Sequence, residues 1–197
     1  MNDAVLTAGS RLLVRFIRTG DRWAHGIHFG APRQSARILQ SLEGVAEENW
    51  PPSPPLQSME RHVAADGRQH ALLVGMASGS HWSASVEADE AGEQVFFDVA
   101  CRISDGPQWL GSCYVLSGFP SPLPRPSADK RKGENGTTIV IPRIELDESV
   151  SRADGIRPVV ETTGRMINVR VECGAGPLPR TVRWRYVVKL DECRVPW

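Results

Sequence analysis

The groups best placed to do chemistry fall at alternate positions of two segments. In 81–87, His81, Ser83, Ser85 and Glu87 share one parity; in 94–103, Asp98 and Arg102 alternate with Val95, Phe97, Val99, Cys101 and Ile103. Side chains of a strand alternate between two faces, so read as strands these segments gather an acid, a base and hydroxyls on one surface. A three-residue turn at Ser104-Asp105-Gly106 would add Ser112 directly opposite Asp98. Such a set suits a hydrolase or a ligand pocket. Hydrolysis also needs a nucleophile held in an oriented setting, and no Gly-x-Ser-x-Gly elbow occurs in the chain. Solvated strand faces carry the same residues, so His81, Asp98, Arg102 and Ser112 are read as ligand-binding candidates, and no residue is assigned as catalytic.

Aromatic side chains are the second source of recognition chemistry. Trp23, Trp82 and Trp109 each stand three residues after a turn glycine, Gly20, Gly79 and Gly106, and Ile167 takes the same place after Gly164. A rim of three indoles could stack sugars, bases or a partner's aromatic and proline side chains. Their inward parity instead points to each indole closing the core beside its turn, and they are kept as ligand-binding candidates on spacing alone.

Metal and cofactor chemistry find no support. His25 falls on the apolar face and His28 on the other, because residues three apart on a strand point in opposite directions; His25 reads as a satisfied core histidine. No Cys-x-x-Cys, His-Glu-x-x-His, EF-hand loop, P-loop or dinucleotide fingerprint is present. No metal site and no cofactor is expected. The row Arg170, Glu172, Arg183, Arg185 and Lys189 offers a mostly basic face for a phosphate or an acidic partner, or a solvated sheet surface. Lys130-Arg131-Lys132 is too short a run to claim as a nucleic-acid or targeting signal.

The elements that must position these groups are hairpins. Residues 11–29 form the first. A two-residue loop at Thr19-Gly20 sets Phe16 opposite Trp23, Val14 opposite His25 and Leu12 opposite Ile27. The second, 69–88, turns at Ser78-Gly79 and pairs Trp82 with Gly75, Ala84 with Leu73 and Val86 with Ala71. The third, 94–116, pairs Cys101 with Trp109, Val99 with Gly111, Phe97 with Cys113 and Val95 with Val115. Four further strands are expected at 137–143, 156–162, 165–173 and 181–190, with Ile167, Val169 and Val171 facing Val182, Trp184, Tyr186 and Val188. Ile38, Leu39, Leu42 and Val45 recur at helical spacing, which predicts one short helix after Pro32 to about Glu48. Trp50-Pro51-Pro52-Ser53-Pro54-Pro55 reads as an extended covering loop.

About ten antiparallel strands and one helix make a mainly β chain, closed as a barrel or folded as a sandwich. All 197 residues are read as a single β domain, with the proline-rich, basic loop at 117–136 as a candidate boundary or functional loop. Lysine plus arginine and aspartate plus glutamate each number 23, so no global charge favours nucleic acid or a membrane surface. No basic segment leads into an apolar run at the start, and no stretch of eighteen apolar residues occurs. These features predict a soluble cytoplasmic protein whose cysteines are free buried thiols.

The function expected from this reading is a non-enzymatic β module acting by surface recognition or assembly, with a protein partner. The alternatives are a β-barrel binding a small apolar or amphipathic ligand and, third, a hydrolase. Neither nucleic acid nor a membrane is expected as a partner, and the oligomeric state is not legible.

Overall fold

The computed structural model describes residues 3–89, 91–117, 137–147 and 156–195, with the side chains of 137–140 and 192–195 left aside. Among these residues the chain is all β: thirteen strands and no helix. The loop at 118–136, with Lys130-Arg131-Lys132, and the Cys193 side chain lie outside what is described.

Seven strands make one antiparallel sheet: β1 (Ala4–Ala8), β2 (Leu12–Thr19), β3 (Arg22–Phe29), β4 (Ala36–Ser41), β9 (Gly111–Leu116), β12 (Met166–Cys173) and β11 (Ile156–Thr163), in that spatial order. Six make the other: β10 (Thr137–Leu146), β13 (Arg180–Val195), β8 (Gln94–Ile103), β7 (Ser80–Asp89), β6 (Gln69–Ala77) and β5 (Leu56–Val63). Their inner faces share one hydrophobic core, so the architecture is a sandwich and not a closed barrel. The strands after residue 137 complete both sheets, β12 pairing with β9 and β13 with β8. Trp184, Tyr114, Tyr186, Phe16 and Phe97 lie among the largest fully buried side chains. Burial of such a group contributes roughly 1.5–3 kcal/mol relative to its exposure.

The second hairpin has the expected register: Gly75 faces Trp82, Leu73 faces Ala84 and Ala71 faces Val86. Gly75 is needed for a different reason, since a Cβ there would collide with the carbonyl of Pro55 as the chain enters β5. In the first hairpin the turn sits one residue further on, at Gly20-Asp21, which shifts the pairing by two. Thr19 pairs with Arg22, so Phe16 faces His25, Val14 faces Ile27 and Trp23 faces Arg18. A two-residue shift leaves every side chain on its face, which is why the inward parity of Phe16, Trp23 and Ile27 survives.

Three further expectations are overturned, one of them the pairing of 165–173 with 181–190, since β12 and β13 lie in different sheets. Residues 94–116 are not a hairpin: β8 lies between β7 and β13, β9 lies between β4 and β12, and 104–110 crosses from one sheet to the other. Phe97 faces Val86 and Tyr186, Cys101 faces Trp82 and Val182, and Cys113 faces Asn168. Gly106 does not take the positive φ of the bulged turn, and Pro107 has no N–H to give a ladder.

The expected helix before Glu48 is strand β4, hydrogen-bonded on both sides to β3 and β9. Its register jumps between Ile27↔Leu39 and His28↔Arg37, so Ile38 is the extra residue of a bulge. A bulge lets neighbours Ile38 and Leu39 both join the core, and that adjacency is what imitated a helical stripe.

The proline segment does cover. Ser53 Oγ accepts the Cys113 N–H at 3.0 Å and donates to the Cys113 carbonyl at 3.2 Å, standing in for a strand partner of β9. Trp109 Nε1 donates to the Pro52 carbonyl at 3.0 Å.

Candidate functional site

The solvent face of the six-stranded sheet carries an open trough. Three cross-strand rows build it. The first runs Met76, His81, Arg102, Thr181; the second Val74, Ser83, Ala100, Arg183; the third Leu72, Ser85, Asp98, Arg185. Serine and alanine in the central strands β7 and β8 are short, so the surface drops between a ridge on β6 and another on β13. The space at the first two rows is about 580 Å³, bounded also by Gln57 and Ser58, and a second space of about 360 Å³ continues it past Leu72, Ser85 and Asp98. Volumes of this size fall in the range of ligand sites.

The β6 ridge is apolar and uncovered: Leu72, Val74 and Met76 are 49%, 54% and 50% exposed. Strand alternation puts them on the face opposite Ala71 and Leu73, which are buried. Gln57 fixes the end of the ridge, its Oε1 accepting the Met76 N–H at 3.1 Å and its Nε2 donating to the Met76 carbonyl at 3.4 Å.

Charges on this face are almost all matched. Arg183 grips Asp98, with Nε to Oδ1 at 2.7 Å and a second contact from Nη2 to Oδ2. Lys189 meets Glu145 at 2.7 Å, Arg185 lies 3.6 Å from Asp147, and Arg143 contacts Glu145 and Asp191. On the other sheet Arg170 is bracketed by Glu161 and Glu172. The basic row expected at the final strands is thereby neutralised. Arg102, exposed at the first row beside His81 and Thr181, has no carboxylate partner among the described residues.

The sequence-derived candidates divide sharply. His81, Asp98 and Arg102 do share the trough face, as their parity required. Ser112 does not: it is 1% exposed in β9, on the inner face of the opposite sheet, where its hydroxyl offsets part of the upward shift of the Tyr186 hydroxyl. The pairing of Asp98 with Ser112 fails with the third hairpin. The three indoles do not gather into a rim. Trp82 is 2% exposed and meets Trp50 and Trp184 edge to face. Trp23 is half-buried with Arg18 5.8 Å over its ring, and Trp109 is half-buried against the Pro52 loop.

Two features escaped the sequence reading. One is the β6 ridge, whose signal was the unbroken run Ala71-Leu72-Leu73-Val74; a strand apolar on both parities announces two faces seeking cover. The other is a polar chain inside the core. His25 Nε2 lies 2.8 Å from Tyr114 Oη, which lies 2.6 Å from Tyr186 Oη. The Tyr186 ring stacks on Phe97 with centroids 5.0 Å apart. Burial pulls the His25 pKa down to about 4 and holds both tyrosine hydroxyls above their ordinary value, with the neighbouring hydroxyl adding to the shift at Tyr114. At its margin, Glu43 accepts the Ser41 hydroxyl, and burial pushes its carboxyl up to about 7 against the opposing Ser41 bond and the Arg22 charge. Every hydroxyl and imidazole in this chain is consumed by another, as buried polar groups require, and none opens onto the trough.

Cys101 and Cys113 are buried free thiols, raised by burial to about 12 and about 11, and Cys173 is a partly buried free thiol. Among the described residues no group of three or more His, Cys, Asp or Glu could hold a metal ion, and no helix is long and apolar enough to cross a membrane. No protein-family model matches the chain, and comparisons with curated proteins and with solved structures find no match to it.

Proposed function

We propose that the protein is a non-catalytic recognition module whose working surface is the trough on the six-stranded sheet. The observation that carries this reading is the uncovered ridge of Leu72, Val74 and Met76 beside a floor of small residues. Large apolar side chains clustered at half exposure on a sheet face mark an interaction surface more often than scattered ones do. The reacting groups a hydrolase would need are dispersed: Asp98 is engaged by Arg183, and Ser112 lies in the core on the inner face of the other sheet. The alternative of a ligand enclosed in a barrel loses its enclosure, because the space between the sheets is filled by Phe97, Tyr114, Tyr186 and Trp184. Free thiols at Cys101, Cys113 and Cys173 suit a reducing, cytoplasmic setting.

Photo-cross-linking in the native cell tests the reading. A photoreactive residue at Val74 is expected to yield discrete adducts, and one at the exposed Arg157 of β11, on the other sheet, is expected to yield none. No adduct from Val74, or the same adducts from both positions, overturns it.

A further inference from the structure

The trough has polarity along its length. Met76, His81 and Arg102 stand at one end, and Leu72, Ser85 and Asp98 at the other. The distal end is electrostatically closed, since Asp98 is gripped by Arg183. The proximal end keeps the guanidinium of Arg102, the one cation of this face without a carboxylate among the described residues, beside the Thr181 hydroxyl and the His81 imidazole. A guanidinium presents a planar fork of donors that matches a carboxylate.

The ridge has a matching repeat. Leu72, Val74 and Met76 are successive same-face residues of one strand, so they recur at roughly 6.4–6.8 Å, the repeat with which any extended chain presents its own same-side residues. An extended segment laid along the trough therefore drops its apolar side chains into the gaps of the ridge, as inner faces of stacked sheets interdigitate. From Leu72 to Met76 the trough is about 13 Å long, the span of four extended residues. Its open side argues against an acyl chain, because small ligands are held in sites that bury most of their surface.

We infer that the trough receives an extended polypeptide segment of a partner, apolar at alternate residues and ending in or carrying a carboxylate that pairs with Arg102. The inference rests on the trough being the working surface and adds the class of occupant and its direction.

The test is a titration of the full chain, labelled at its methyl groups, with three probes: an octapeptide with valine at alternate positions and a free C-terminal carboxylate, the same peptide as its C-terminal amide, and decanoate. The acid peptide is expected to shift the methyl resonances of Leu72, Val74 and Met76. Both the amide and Arg102→Gln are expected to weaken that binding by roughly tenfold or more, the weight of a charge-assisted hydrogen bond. Arg102→Gln breaks no ion pair of the described residues, so the variant folds and its thermal midpoint stays at the wild-type value. Acid and amide binding equally, with Arg102→Gln silent, overturns the carboxylate assignment. Decanoate binding where the peptide does not overturns the polypeptide occupant, and no methyl shift with any probe overturns the inference as a whole. Adducts at Val74 alongside any of these failures leave the recognition reading standing; absence of adducts removes both.

Discussion

Two polar clusters sit within this sandwich, and they are built in opposite ways. Between the sheets, His25, Tyr114 and Tyr186 close on one another, with hydroxyls 2.6 Å apart and an aromatic stack beside them. On the outer face of the six-stranded sheet, His81, Arg102 and Arg183 are exposed and Asp98 is partly buried; one ion pair forms there and one guanidinium is left over. The inner cluster must be complete, because a buried group without a partner costs far more than its bond returns. The outer cluster is free to be incomplete. Chemistry-bearing residues that satisfy each other hold a fold together, and those that leave a group unspent are available to a partner.

On that division, the largest losses of stability come from the inside. Trp184→Ala empties a fully buried site that packs edge to face on Trp82, and a loss of roughly 3–5 kcal/mol is expected in urea or guanidinium unfolding. Tyr114→Phe removes the hydroxyl shared by His25 and Tyr186 and leaves both one partner short, for a cost of about 1–3 kcal/mol. Adding Tyr186→Phe to it should cost less than the sum of the two single changes, because the second hydroxyl has already lost its partner. Full additivity would mean that the hydroxyls are not coupled.

Between these extremes lies the pH response of the inner cluster. His25, held at about 4 against an ordinary 6.5, favours the fold above pH 6.5, and that contribution is lost as pH falls through 4. Glu43, held at about 7 against an ordinary 4.5, favours the fold below pH 4.5, and that contribution is lost as pH rises through 7. The two slopes oppose each other between pH 4.5 and 6.5. Glu43→Gln keeps an oxygen for the Ser41 hydroxyl and removes one slope. Relative to wild type the variant should gain roughly 2–3 kcal/mol between pH 5 and pH 8, measured by denaturant midpoints at each pH. A variant that loses ground over that interval contradicts the buried state of the Glu43 carboxylate.

How much of this division is readable before folding follows from what turns and alternation encode. Ser78-Gly79 fixed the register of β6 against β7 because both strands belong to one hairpin, and alternation alone then put His81 and Arg102 on the outer face and Trp82 on the inner one. The same logic misplaced Ser112. Any two neighbouring strands with matched alternation look like a self-consistent pair, yet Phe97 and Tyr114 serve their apolar faces equally well from opposite sheets, meeting across the core at 6.5 Å. Local pattern says which way a side chain points, not which sheet carries it. Strand β4 was lost to a bulge at Ile38, whose position depends on β3, and β5 gains its place through Pro55 closing on Gly75; neither relation is local in sequence. The tyrosine chain is invisible for the same reason, since β9 and β13 come together only when the sandwich closes.

The smallest expected effect bears most directly on the outer cluster. Val74→Ser trims the middle of the ridge on a residue 54% exposed, with no core partner to lose, so stability should move by no more than about 0.5 kcal/mol. Asp98→Asn weakens an ion pair whose arginine is 57% exposed, and exposed pairs of this kind contribute little, about 0–1 kcal/mol. The proposed function gives the same two changes a distinct signature. Val74→Ser should weaken binding of the acid octapeptide while the unfolding curve stays in place, because it alters only the surface that a partner would cover. Asp98→Asn frees Arg183 beside the trough, so the anionic peptide should bind no more weakly than to wild type. A large stability loss from Val74→Ser would mean that the ridge already packs against part of this chain, and the contrast between a closed interior and an open exterior would then fail at the ridge.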